Sequence, residues 1–187
     1  MNEKDLVLHY VCTRKEAWEI VKAHNRFWVS NCGCRESRGG CARSRLDVCL
    51  FFARDWGYGA GGTGSNFKEV TKSHVEEIFH EAKEKHLVTR PFRNPPDMIE
   101  VAGICFCCDD CCSYFLNQEE KCDKGGYIER TDSDKCTNCG VCIETCYFGA
   151  RKMDEGKMTI ERSNCYGCGL CVDVCPEGCV QMVPGNF

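Results

Sequence analysis

"KCTNCGVCIETCYFGARKMDEG" (residues 135–156) is answered by "NCYGCGLCVDVCPEGCVQMVPG" (residues 164–185), with each cysteine of the first copy matched by one 29 positions on. The segments leading in also match, YIERTDSD before the first copy and TIERS before the second, with three extra residues ahead of Cys136. Each copy reads as a short strand, a cysteine loop, a turn of helix through Ile143 or Val172, and a second short strand around Met153 or Met182. That pattern predicts a small α+β unit built from two related halves.

The spacing within each copy carries the chemistry. The first runs Cys136-x2-Cys139-x2-Cys142-x3-Cys146; the second runs Cys165-x2-Cys168-x2-Cys171-x3-Cys175 and continues into Pro176. Three thiolates two residues apart can wrap a loop around three corners of an iron–sulfur cubane, while the fourth points away. Residues 127–185 therefore resemble a bacterial-type 2[4Fe-4S] ferredoxin domain. The resemblance implies a pseudo-two-fold dicluster fold with two [4Fe-4S] clusters. It assigns Cys136, Cys139, Cys142 and Cys175 to one cluster, and Cys165, Cys168, Cys171 and Cys146 to the other. Tyr147 departs from the motif, standing where the second copy has Pro176. Cys179 falls opposite Ala150 in the repeat and reads as a small core residue. Zinc suits the doubled run less well, because zinc sites usually pair two C-x2-C units.

The chain has 187 residues and 20 cysteines, a density that implies either disulfides or metal. The charged opening, MNEKD, carries no apolar stretch of signal-peptide length, and no apolar run is long enough to span a membrane. A cytoplasmic location is expected, where thiols stay reduced and bind metal. Net charge is −4 and unevenly spread: residues 1–104 hold 16 Lys and Arg against 14 acids, residues 105–187 hold 8 against 14. The acidic second half points to a basic partner protein and away from nucleic acid.

The domain boundary is expected near the KGGYIER stretch, giving residues 1–125 and 126–187. For the first of these, helix signals predict a mainly helical, cysteine-rich domain. Thr13 with Glu16 and Ser73 with Glu76 read as capping boxes, the second opening a helix with Val75, Ile78, Phe79 and Ala82 on one face. TRPFRNPPD (residues 89–97) reads as a break. Two cysteine groups lie in this half: Cys32, Cys34, Cys41 and Cys49 in a loop rich in glycine and arginine, and Cys105, Cys107, Cys108, Cys111 and Cys112 in the dense run CFCCDDCC. If residues 105–112 are helical, Cys105, Cys108 and Cys112 share one face and Cys107 and Cys111 a neighbouring stripe. Five cysteines in two directions cannot all reach one cluster. With Cys122, this half supplies thiols for one or two further clusters, their pairing left open, and zinc competes for one site. Arg35, Arg38, Arg43 and Arg45 would either offset the charge of a cluster or present a docking face. The half also loosely resembles a segment preceding the dicluster domain in multi-cluster iron–sulfur proteins of anaerobes, which adds weight to extra clusters.

Other features read as structural. Gly57, Gly59 and Gly62 spell G-x-G-x-x-G without a strand before them or a helix within them, so a flexible loop is expected. His74, His80 and His86 read as surface residues, and Trp18, Phe27 and Trp28 as core around the first cysteine loop. No acid–base pair or nucleophile suggests separate catalysis. The expected function is single-electron transfer between a donor and an acceptor oxidoreductase, free or as a subunit of a larger complex. Two alternatives stand beside it: a small reductase binding substrate at an unusual N-terminal cluster, and a ferredoxin with a structural zinc domain. Oxygen sensitivity follows from solvent-reached clusters.

Overall fold

The segment VAGICFC is apolar at every position, as a strand covered on both faces must be, and it forms the central strand of a seven-stranded sheet. The computed structural model describes residues 7–55, 64–95, 97–117 and 120–185. In chain order the strands are β1 (His9–Tyr10), β2 (Phe27–Ser30), β3 (Cys49–Phe51), β4 (Lys68–Val70), β5 (Val88–Arg93), β6 (Val101–Cys107) and β7 (Cys122–Asp123). They lie in the order β4-β2-β3-β6-β5-β1-β7, all neighbours antiparallel except β1 and β7.

Helices α1 (Arg14–Lys22) and α3 (Lys72–Glu84) cover one face of this sheet, and the short α2 (Gly33–Ser37) carries the first cysteine loop. Ala17 and Val21 of α1 and Val75, Ile78, Phe79 and Ala82 of α3 pack on Phe27, Val29, Leu50, Ile104 and Phe106. The opposite face is a smaller cluster of Trp28, Cys49, Phe51, Phe92 and Ala102. The capping box at Thr13 is present, with Thr13 Oγ1 accepting from Glu16 N–H and the Glu16 carboxylate accepting from Thr13 N–H at 2.8 Å.

The mainly helical expectation for residues 1–125 is corrected: this half is built on the sheet. Its strands are two to seven residues long and several are buried on both faces, so they show apolar runs without the alternation that marks a half-buried strand. Residues 105–112 are not a helix either. Cys105 and Cys107 end β6, and a turn carries Cys108 to Cys112. The second helix is capped by Thr71, whose Oγ1 accepts from His74 N–H at 3.3 Å, and Ser73 lies inside it. The predicted break at residues 89–97 begins instead with β5. Pro91 is tolerated there because the neighbouring odd-numbered amide, Arg93 N–H, points to Leu8 O on the β1 side. The Pro91 nitrogen shares that side, where β1 is two residues long, and the β6 ladder loses nothing. Gly57, Gly59 and Gly62 lie outside the described residues.

Beyond β7 the repeat folds as two interlocked copies. β8 (Tyr127–Thr131), α4 (Val141–Glu144) and β9 (Arg151–Asp154) are followed by β10 (Lys157–Ile160), α5 (Leu170–Asp173) and β11 (Val180–Pro184). β8 pairs with β11 and β9 with β10, both antiparallel. This unit docks on the large sheet. Leu170 joins a cluster with Val11, Val88, Cys107 and Cys112, Gly125 N–H donates to Tyr166 O at 3.0 Å, and Arg14 pairs with Asp173. Among the described residues no helix is long and apolar enough to cross a membrane.

Candidate metal centre

The cysteine loops of the repeat trace the same path twice. Left-handed backbone occurs at Asn138 and Gly140 in the first copy and at Gly167 and Gly169 in the second, at the same 29-residue offset. These residues reverse the chain between successive cysteines, and glycine takes this conformation without a side-chain penalty. At Gly167 it is also required by space, since a Cβ would lie 2.2 Å from Tyr127 O. The result gathers Cys136, Cys139, Cys142 and Cys175 around one cavity. Cys165, Cys168 and Cys171 gather with Cys146, and burial, helped by their mutual charge, pushes the Cys168 thiol above its ordinary value and that of Cys171 to about 12. Each group thus takes its fourth thiol from the other copy, and four soft donors brought together fit an iron–sulfur cluster. Cys179 is buried beside the first group, with its sulfur 3.4 Å from Cys175 Sγ.

Arg151 sits between the two groups. Its guanidinium donates to Cys142 Sγ at 3.3 Å, Glu129 Oε2 at 2.7 Å and Thr131 Oγ1 at 2.8 Å, and the Arg151 and Glu129 side chains are each 2 % exposed. Burial opposes its charge, and the thiols of Cys171 and Cys142 together with Glu129 outweigh that, holding its pKa above the usual guanidinium value. Sequence reasoning missed this residue. The repeat held a signal for it: the matching position is Val180, equally buried, so a charge stands where the other copy has an apolar side chain.

Tyr147, the departure from proline, makes the contact to the other half. Its ring lies 5.8 Å from that of Phe115 and beneath the Arg43 guanidinium at 5.3 Å, while the next residue, Phe148, stacks on Tyr166 at 4.4 Å.

The N-terminal cysteines fall into groups that cross the two sequence clusters. Cys34 lies against Cys112, Cys32 and Ser113, and hydrogen bonds from the first two hold its thiol far below the ordinary range. Cys112 in turn meets Cys107. Cys32, Cys34, Cys107 and Cys112 line a cavity of about 600 Å³ with Cys105, Arg35, Arg90, His9 and Glu120, and Cys111 reaches its wall. Arg90 Nη1 reaches Cys112 Sγ at 3.5 Å and Cys107 Sγ at 3.7 Å, and its Nη2 pairs with Glu120 at 2.6 Å. Glu120 also accepts from His9 Nδ1 at 3.0 Å, leaving His9 Nε2 3.9 Å from Cys105 Sγ. His9, Arg90 and Glu120 were not singled out in the sequence, and nothing in their local spacing marks them; the pairing of β1 with β5 on one side and with β7, just after Glu120, on the other brings them together. Cys41 is drawn away from Cys32 and Cys34 to Cys108 and Cys111, where a hydrogen bond from Cys111 holds the Cys108 thiol down at about 5. Cys49 is in β3, its sulfur 3.8 Å from Cys105 Sγ on the far face of the sheet. Cys122 lies at the sheet edge near Arg90. Cys12 pairs with Thr89, and burial raises its thiol to about 12, as suits an inert core residue. Among the described residues His74, His80 and His86 join no group of thiols.

No curated protein matches the chain. Its C-terminal residues 129–182, the segment that holds both repeated cysteine loops, match the family model of the 4Fe-4S dicluster domain.

Proposed function

We propose that this protein passes single electrons between a donor and an acceptor oxidoreductase, alone or as a subunit of a larger complex. Bound iron–sulfur clusters supply one-electron chemistry. In this reading Cys136, Cys139, Cys142 and Cys175 hold one [4Fe-4S] cluster, Cys165, Cys168, Cys171 and Cys146 a second, and Cys32, Cys34, Cys107 and Cys112 a third. The observation that carries the reading is continuity. Cys168 belongs to the same packed cluster as Cys107 and Cys112, so the second and third groups adjoin across the interface between the halves.

The protein's own residues set direction and access. Cys139 is exposed, and beside it the apolar Val141 and Met153 are 45 % and 41 % exposed. Exposed carboxylates of Asp132, Asp134, Glu144, Asp154, Glu155 and Glu177 outnumber the exposed Arg130, Lys135, Lys152 and Lys157 on the same loops and strands. An apolar spot within an acidic field suits a basic partner surface, which it would steer and then dock. Arg90 and Arg151, buried against thiols, favour the more negative, reduced state of each neighbouring group.

Redox titration under argon tests this. Uptake of about three electrons per chain is expected, one for each cubane. Cys139→Ser and Cys146→Ser should each perturb a different reduced-state resonance, since they belong to different groups. No electron uptake, or loss of the same resonance in both variants, would refute the reading. The charged lining of the 600 Å³ cavity favours one second reading, a small reductase acting there; a small oxidant that perturbs the third resonance without a partner protein would support it.

A further inference from the structure

Cys41, Cys108 and Cys111 differ from the other thiol groups in spacing. Cys41 Sγ and Cys111 Sγ each lie 3.5 Å from Cys108 Sγ, and all three sulfurs lie within 4.8 Å of one another. Among the described residues, no other three ligand atoms from cysteine, histidine or carboxylate side chains come so close. Thiolates about 2.3 Å from one tetrahedral zinc ion are separated by roughly 3.8 Å. A cubane instead gives each thiolate its own iron and holds them farther apart. This group has the spacing of a single ion.

Two clamps hold it together. The Arg43 guanidinium grips Asp109 through two bonds, at 2.7 and 3.0 Å, and the Asp110 carboxylate accepts from Ala42 N–H at 2.9 Å. The loop bearing Cys41 is thereby fixed to the turn bearing Cys108 and Cys111, both of them buried. Arg35 provides the matching charge. Its side chain is fully buried, its Nε has no hydrogen-bond partner, and among the described residues no carboxylate lies within 4 Å of it. It donates to Phe106 O at 2.9 Å and lies against Cys32 of the neighbouring group as well as Cys41 and Cys111. Three thiolates around a divalent ion carry one net negative charge, which one guanidinium balances; neutral thiols would leave a buried cation uncompensated.

We propose that Cys41, Cys108 and Cys111 bind one zinc ion, with water in the fourth position. Three protein ligands and a water is the arrangement of an open zinc site. The proposal rests on the reading above only in taking the thiols as reduced, and it gives one group to zinc in place of iron.

The test is elemental analysis of the full chain isolated under argon without added metal. About one zinc per chain is expected beside about twelve irons. Cys41→Ser and Cys111→Ser, dialysed against a chelator, should each lose zinc by about tenfold or more with iron unchanged. Cobalt(II) exchanged into the wild-type protein should give the visible bands of a tetrahedral thiolate site, absent from both variants. If a variant does not fold, the wild-type zinc count and cobalt spectrum decide. Zinc below about 0.1 per chain, zinc unaffected by the substitutions, or a loss of about four irons in either variant would overturn the proposal. Zinc near one with no iron would leave it standing and refute the electron-transfer reading instead.

Discussion

Replacing Arg151 with methionine is expected to destabilise the C-terminal unit by about 3 kcal/mol, near the lower end for breaking a buried ion pair. The lower end applies because Glu129, once deprived of Arg151, keeps Arg162 at 3.1 Å, on the solvent side of the pair. What is lost is the one cation that, among the described residues, touches Glu129, Thr131 and Cys142 together. Adding Glu129→Leu should recover much of the loss, since removing both partners of a buried pair is far cheaper than removing one. The readout is the urea midpoint of cluster absorbance at a fixed incubation time, because unfolding that releases metal is not reversible. A fall of about 1 M or more is expected for the single variant. Loss of a positive charge beside Cys142 and near Cys171 should also move both reduction potentials more negative. An unchanged midpoint would show that the buried pair contributes little.

Gly103→Ala should cost a similar amount, about 3 kcal/mol, at the upper end for overpacking a core. Gly103 is the third of the seven residues of β6, paired with Phe51 on one side and Phe92 on the other. A Cβ there would lie 2.1 Å from Leu50 O and 2.4 Å from the Phe92 ring, and a backbone carbonyl in a central ladder cannot move aside cheaply. The strand continues into Cys105 and Cys107, so its displacement should also disturb the N-terminal thiols. The expected pattern is selective: metal lost from the first half, with the resonances of the C-terminal pair retained. Wild-type stability and full metal content would contradict the central placement of this strand.

These two positions also mark what the sequence made legible. The dicluster unit was readable because metal ligation imposes fixed spacing on neighbouring residues, and the duplication let each copy check the other. Arg151 escaped because a buried charge needs its partner known, and Glu129 is 22 residues away on another strand. In the first half the helices announced themselves through capping at Thr13 and the apolar face from Val75 to Ala82. The sheet did not, because FWVS, CLF and VAGICFC are short and buried on both sides, and a proline stands within β5. The cysteine groups there were unreadable for the same reason. Which thiols meet is decided by strand register, which sets Cys105 and Cys107 on one side of β6 and lets the next turn swing Cys108 and Cys111 to Cys41. The departure at Tyr147 was visible from the motif, and its purpose became visible only beside Phe115 and Arg43.

The most direct test of the account is an iron and acid-labile sulfide assay on the whole protein, isolated under argon without reconstitution. The account predicts a brown protein with iron and sulfide in equal amounts, at least about eight of each per chain. Colourless protein without sulfide, its repeat cysteines joined as disulfides or holding another ion, would contradict it.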